Sequence, residues 1–292
     1  MDAAGASYCA KRALPRLRVK ALWEAPVSRN TEEVRWLRTV RAWIGEQAAA
    51  VVAHDEAAGV AILRWYDPTH WQNWKTQLLA GSVDLRVADA LGRALGTIAR
   101  EAARRPELAT PFDNAALFDA LRIDPFFRHI RARYPRLDAL IDQLQTDRAT
   151  LVHGDFSPKN VLVDTTGAIR ILDAETATWG SPGFDPGYLL AHLLLKYEQR
   201  RDPALLGAAA RFWTAYRSEV GAAFDDLDLL TWRTLVGMLL ARIDGKSPVE
   251  YLTESSRNAL RDFAAGLLDC EQPRPIAEWL ADWRRLRSTV DV

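Results

Sequence analysis

Between residues 150 and 175 three short apolar runs alternate with polar loops, in an order that leaves few architectures open. Thr150-Leu151-Val152 leads into His153-Gly154-Asp155-Phe156-Ser157-Pro158-Lys159-Asn160. Val161-Leu162-Val163 follows, then the turn Asp164-Thr165-Thr166-Gly167 and the return run Ile169-Arg170-Ile171-Leu172. Two β-rich runs joined by a Gly-ended turn predict a hairpin. That hairpin holds Asn160 at the start of one strand and Asp173 at the end of the other, so both can face one metal ion. The pattern H-x-D-x-x-x-x-N, strand, turn, strand, Asp matches what phosphoryl transfer asks of a protein. One carboxylate must stand beside the attacking hydroxyl, here Asp155. An amide oxygen and a second carboxylate, Asn160 and Asp173, must hold Mg²⁺ on nucleotide phosphates.

Composition narrows the class without choosing a chemistry. The chain has 292 residues, and its 38 Lys+Arg balance 38 Asp+Glu. Zero net charge argues against general nucleic-acid binding. With 49% apolar and 26% charged residues it reads as a globular chain rather than a disordered one. Two cysteines, Cys9 and Cys270, exclude a disulfide framework and a Cys-rich metal site. The tightest apolar cluster, Leu189 to Leu195, contains His192 and falls well short of the ~20 residues of a membrane span. No signal peptide is visible after Met1, so the expectation is a cytoplasmic protein with no membrane partner.

The order of elements predicts an α+β chain. A helix from about Thr31 places Val34, Leu37, Val40 and Ile44 on one face, and Gly45 can end it. Ala48 to Ala53 and Val60 to Leu63 read as a second hairpin across Asp55 to Gly59. Asp67-Pro68 breaks the chain. Val83, Val87, Leu91, Leu95 and Ile98 then form a helical stripe, Pro125 and Pro135 mark breaks, and four or five helices follow from Tyr188. Two regions are expected: a small one over 1–67 and a larger, mainly helical one over 68–292.

His153 to Asn160, with the hairpin and Asp173, resembles the small-molecule kinases of the aminoglycoside phosphotransferase and choline kinase type. Gly180-Ser181-Pro182-Gly183-Phe184-Asp185 is similar to that family's G-x-P-x-x-D segment. The likeness runs from about Lys11 to about Leu252. It implies a bilobal protein-kinase-like fold, ATP and Mg²⁺ as cofactors, and phosphotransferase activity with an alcohol group as acceptor. The acceptor would be a small aminoglycoside-, choline- or sugar-like molecule. Position by position, it implies Asp155 as catalytic base and Asn160 and Asp173 as metal ligands. It makes Lys11 the lysine on the α- and β-phosphates and Glu33 its helix partner. Leu63-Arg64-Trp65-Tyr66 falls where the hinge passes the adenine. No G-x-G-x-x-G precedes Lys11, so the expected N-terminal lobe lacks the phosphate-covering loop and its two strands. Either the chain starts late, or it is a kinase-like nucleotide-binding or scaffold protein of impaired activity. Nothing between Asp173 and Asp185 is long enough to dock a peptide.

Several residues carry two readings. Lys11, Arg12, Arg16, Arg18 and Lys20 also form a basic run that a solvated face would give. Asn30-Thr31-Glu32-Glu33 fits a capping box with Glu33 at its third position, and Glu32 is an equal candidate for pairing with Lys11. Lys159 can reach a transferred phosphate or face solvent. Glu175 fits a place near metal or substrate as well as a solvated one. His153 reads as a brace for its loop, and Asp185 as an anchor. Ser247-Pro248-Val249-Glu250 reads as a capped helix start, which leaves Arg242, Asp244 and Lys246 as charges that could line an acceptor pocket. Trp65, Trp71, Trp74 and Trp179 suit a core, with Trp179 placed to wall the substrate site.

Overall fold

The computed structural model describes residues 7–14, 26–268 and 274–288. Gly5, Arg16, Arg18, Lys20 and Cys270 lie outside them. Strand β1 (Tyr8–Arg12) precedes helix α1 (Arg29–Ile44), and the hairpin β2 (Val51–Asp55) and β3 (Val60–Arg64) follows. These strands form an antiparallel sheet in the order β1-β3-β2, with Lys11 opposite Ala61. Helix α1 turns Val34, Leu37, Val40 and Ile44 inward, with Trp36 beside them. Gly45, at φ 57°, ends the helix and donates its N–H to the Arg41 carbonyl.

Two expectations change here. The helix begins before Asn30, and Glu33 makes no capping box, because its carboxylate instead meets the Lys11 ammonium and the Asp173 N–H. An ion pair plus one N–H outweighs a single cap bond. The first strand of the hairpin also starts three residues late. Ala48 and Ala49 reach Ile171 instead, through a bridge and a 3.1 Å hydrogen bond from Ala49 N.

The chain then forms β4 (Trp71–Asn73), α2 (Trp74–Ala80) and α3 (Leu85–Ala103). Asn73 and Asp84 cap the two helices through their side chains. Val87, Leu91, Leu95 and Ile98 are buried along α3, and Val83 precedes it. A short α4 (Ala115–Phe118) runs into wide π-helical turns over Asp119–Phe127. Pro125 sits inside those turns rather than breaking them. A proline has no N–H to donate, and an irregular stretch tolerates that loss better than a regular helix. Helix α5 (Asp138–Thr146) leads to β5 (Thr150–Val152), the hairpin β6 (Val161–Asp164) and β7 (Ile169–Ile171), and β8 (Thr178–Gly180). The hairpin forms as predicted, with Val161 opposite Ile171. Strand β4 extends it to the order β4-β6-β7, and β5 pairs with β8.

Five helices complete the body: α6 (Phe184–Arg200), α7 (Pro203–Val220), α8 (Leu227–Asp244), α9 (Glu254–Leu267) and α10 (Ile276–Ser288). The architecture is thus α+β, with a small sheet and α1 on one side of a cleft and a helical body on the other. Helix α6 is buried from Phe184 to Glu198. Glu198 accepts from Trp283 and pairs with Arg287, which ties α10 to α6. The predicted helix start at Ser247-Pro248 is absent. Ser247 Oγ accepts from Arg242 Nη1 at 2.9 Å, Val249 and Leu252 turn inward, and α9 starts only after Thr253, its cap. Among the described residues no helix is long and apolar enough to cross a membrane.

Helices α3 and α7 come into close contact at Gly92 and Gly96. A Cβ on Gly92 would lie 2.4 Å from the Phe212 carbonyl and 2.8 Å from the Ala215 Cβ. Gly92→Ala, though favourable for helix propensity, should therefore lower stability by about 1–3 kcal/mol through overpacking. Equilibrium urea unfolding measures it, and an unchanged midpoint would contradict the packing argument.

Candidate active site

The loop after β5 is held from behind. Asp185, in the first turn of α6, accepts the backbone N–H groups of His153 at 2.7 Å and Gly154 at 3.0 Å. Burial pushes this carboxyl up to about 7, while the two N–H donors pull the other way. Gly154 takes φ 80°, and a Cβ there would lie 2.5 Å from the Thr176 carbonyl. Only glycine fits that turn. His153 braces the loop from within. Burial pushes its imidazole down to about 4, so it is neutral. Its Nδ1 accepts from the Asp155 N–H at 3.1 Å, and its Nε2 donates to the Leu172 carbonyl at 2.9 Å. One tautomer satisfies both bonds.

The brace leaves Asp155 buried and richly partnered. Lys159 Nζ stands 2.8 Å from its Oδ2, Arg122 Nη2 3.1 Å from the same oxygen, and Tyr188 Oη donates to Oδ1 at 3.1 Å. Burial alone would raise this carboxyl. Lys159 and then Arg122 outweigh it and hold Asp155 well below the usual carboxylate range. Asn160 donates from Nδ2 to the Asp155 carbonyl at 2.9 Å, which leaves its Oδ1 as the group able to accept a cation.

Asp173 follows β7 at φ 66°, unusual for a residue with a Cβ, and its N–H donates to Glu33 at 3.1 Å. Lys11 Nζ lies 2.7 Å from Glu33 and also contacts the Asp173 carboxylate. Burial would lower the Lys11 ammonium, but Glu33 and Asp173 raise it above its ordinary value. Lys11 and Glu33 therefore meet as the resemblance implies, and Asp173 joins them. Glu32 turns away to Asn114 and Arg35.

Two cavities open from this centre. One, of about 310 Å³, is lined by Lys11, Glu33, Asn160, Asp173 and the segment Arg64-Trp65-Tyr66. The other, of about 390 Å³, is lined by Asp155, Lys159, Glu175, Arg122, Tyr188 and Arg242, among others. Lys159 borders one cavity and the next residue, Asn160, the other. Glu175 is paired with the buried Arg29 at 2.9 Å. No group of three or more His, Cys, Asp or Glu suited to a metal exists among the described residues. A hard cation at Asn160 and Asp173 would have two protein ligands and fill its shell with phosphate oxygens and water, as Mg²⁺ commonly does. The donor set fits that ion.

Three expected substrate residues line neither cavity. Trp179 lies on β8 and lines a separate recess, its indole donating to the Arg148 carbonyl at 3.0 Å. The pairing of β8 with β5 turns it there. Asp244 is engaged by Arg261, Arg133 and Tyr134, and Lys246 pairs with Asp124 at 3.1 Å. Conversely, sequence reasoning missed Arg122, Tyr188, Ser157, Lys75 and Lys196, all of which line the larger cavity. Tyr188 had a signal, lying one turn beyond Asp185. Arg122 had none, since it sits in irregular turns.

A family model described as "Phosphotransferase enzyme family" matches residues 5–230. A methylthioribose kinase of Bacillus cereus (strain ZK / E33L) is 25% identical over 232 residues, covering 69% of this chain and 58% of that protein. One from Bacillus anthracis (strain A0248) shows the same identity and coverage. The chain thus spans 58% of the length of these curated relatives. Among solved structures, a macrolide 2'-phosphotransferase from Brachybacterium faecium is 16% identical with a TM-score of 0.48, covering 93% of this chain and 97% of that one. A choline kinase from Streptococcus pneumoniae is 15% identical with a TM-score of 0.41, covering 81% and 87%.

The Arg122–Asp155 pair is buried on both sides, so removing the cation should be felt in stability. Arg122→Met should cost on the order of 3 kcal/mol at pH 7. Asp155 is depressed in the folded state, so its contribution is complete above its unfolded value near 4 and fades as pH falls through the folded one. The gap between wild type and Arg122→Met should therefore be constant above about pH 5 and narrow below pH 4. Urea titrations at pH 7 and pH 3 measure it; an equal gap at both would refute the assignment.

Proposed function

The chain belongs to the phosphotransferase enzyme family, and from that premise we propose that it transfers the γ-phosphoryl group of ATP to a hydroxyl of a small polar molecule, with Mg²⁺ as cofactor. The observation that carries this reading is the position of Asp155 in the larger cavity, with Asn160, which donates to the Asp155 carbonyl, in the smaller. The smaller cavity takes the nucleotide. Lys11, oriented by Glu33, addresses its phosphates, and the segment Arg64-Trp65-Tyr66 lines the end where the base would lie. Mg²⁺ held by Asn160 and Asp173 would neutralise charge on the phosphate oxygens.

The acceptor occupies the larger cavity with its hydroxyl against Asp155. As the new oxygen–phosphorus bond forms, the bond from the γ-phosphorus to the bridging oxygen breaks and ADP leaves. The hydroxyl proton passes to the Asp155 carboxylate. A carboxylate held this far down is a weak base, which suits a loose transition state in which the proton leaves late. Its first task is to orient the hydroxyl. Lys159 is about half exposed and can swing from Asp155 to the transferring group, which would raise the carboxylate's basicity when needed. Tyr188 and Arg122 stay behind to hold the carboxylate in place.

Asp155→Asn should lower kcat by roughly 10²–10⁴-fold while MgATP still binds. ATP turnover over a panel of hydroxylated acceptors reads the first part. Thermal shift reads the second, since ligand at ~100 times its Kd stabilises by about 2.7 kcal/mol. Full turnover by Asp155→Asn would sink the reading, as would no shift of wild type at millimolar MgATP.

A further inference from the structure

The larger cavity carries more positive charge than its carboxylates answer. Arg122 and Lys159 are matched by Asp155, and Glu175 is taken by Arg29. Lys75, Lys196 and Arg242 remain, facing one exposed carboxylate at the rim, Glu250.

Lys196 is the telling residue. It lies on α6 with 1% of its surface exposed, yet no carboxylate pairs with it among the described residues. Its ammonium donates to the His192 carbonyl at a long 3.3 Å and lies 5.5 Å from the centre of the Tyr251 ring. Around it, His192 Nε2, Tyr251 Oη and Arg242 Nε are buried without hydrogen-bond partners among the described residues. Burial, reinforced by Lys75 and Arg242, pushes Lys196 down to about 7. An anion entering the cavity would restore the Lys196 charge that burial drives off, answer the permanent charge of Arg242, and give the unpartnered polar groups a partner.

We infer that the acceptor is a hydroxylated anion, whose carboxylate or phosphate seats against Lys196, Arg242 and Lys75 while its hydroxyl meets Asp155. The inference rests on the phosphotransferase reading for the role of that hydroxyl. Lys196 stands eight residues beyond Tyr188 on α6, and its ammonium reaches back to the His192 carbonyl, about 6 Å of helix rise from Tyr188. The anionic group and the reacting hydroxyl therefore belong at opposite ends of the acceptor. A polyamine or quaternary amine fits this cavity badly, because it would bring a further cation beside Lys75, Lys196 and Arg242.

The test is calorimetric titration of the full chain with glucose, gluconate, glucose 6-phosphate and glucosamine, which share one hydroxylated skeleton and differ in charge. At least one anion should bind tenfold or more tightly than glucose, and the order of the two anions identifies carboxylate or phosphate. Lys196→Met should remove most of that gain. Lys75→Gln, at an exposed position, gives a second measure that does not depend on refilling a buried site. The inference is overturned if neither anion exceeds glucose, if glucosamine binds more tightly than both, or if both variants keep the anion preference. The titration uses no nucleotide. Its failure is therefore distinct from that of the phosphotransferase reading, which MgATP binding and Asp155→Asn decide.

Discussion

The carboxylate of Asp185, accepting two consecutive backbone N–H groups, is the contact on which the rest of the centre depends. It fixes the turn at Gly154, where no side chain fits, and so sets the direction in which Asp155 leaves the loop. His153 completes the brace by joining this loop to the end of β7, where Asp173 begins. Two carboxylates far apart in sequence are thereby held in fixed relation before any ligand arrives. Preorganisation of this kind removes reorganisation from the reaction step.

A second set of contacts joins the small sheet to the body. Lys11 on β1, Glu33 on α1 and Asp173 after β7 form one charged cluster. The cluster gives the ammonium a defined position despite its long side chain. Under the proposed function, a nucleotide phosphate and its cation would compete for Lys11 and Asp173, while the Glu33 contact to the Asp173 N–H could persist.

The two cavities differ in chemical character. The smaller has the apolar wall of Leu63, Leu162 and Leu172 beside its charged end, suited to a flat base with phosphates. The larger is ringed by cations on α2, α6 and α8 and closed by the segment after α8. That segment, expected to open a helix, folds over the cavity because Arg242 binds Ser247 and Val249 is buried. Under the proposed function, the residues that would discriminate among acceptors lie on helices outside the recognisable motif.

What the amino-acid sequence by itself determined is the local frame. The hairpin over 161–171, the α1 and α3 stripes, and the spacing of Asp155, Asn160 and Asp173 follow from turn chemistry and periodicity, which act over a few residues. The pairing of Lys11 with Glu33 was open to Glu32, and only the packing of α1 against β2, β3 and α3 decided it. Strands β4 and β8, three residues each, exist only because β6 and β5 offer partners; no period can be read from so short a run. The same holds for Trp179, turned away by β8, and for Arg122, carried into the centre by irregular turns around Pro125. Above all, Lys196 reads in sequence as one more helix residue. Its burial, and the want of a carboxylate near it, are properties of how α2, α6 and α8 converge, because electrostatic environment depends on distances that local sequence does not specify.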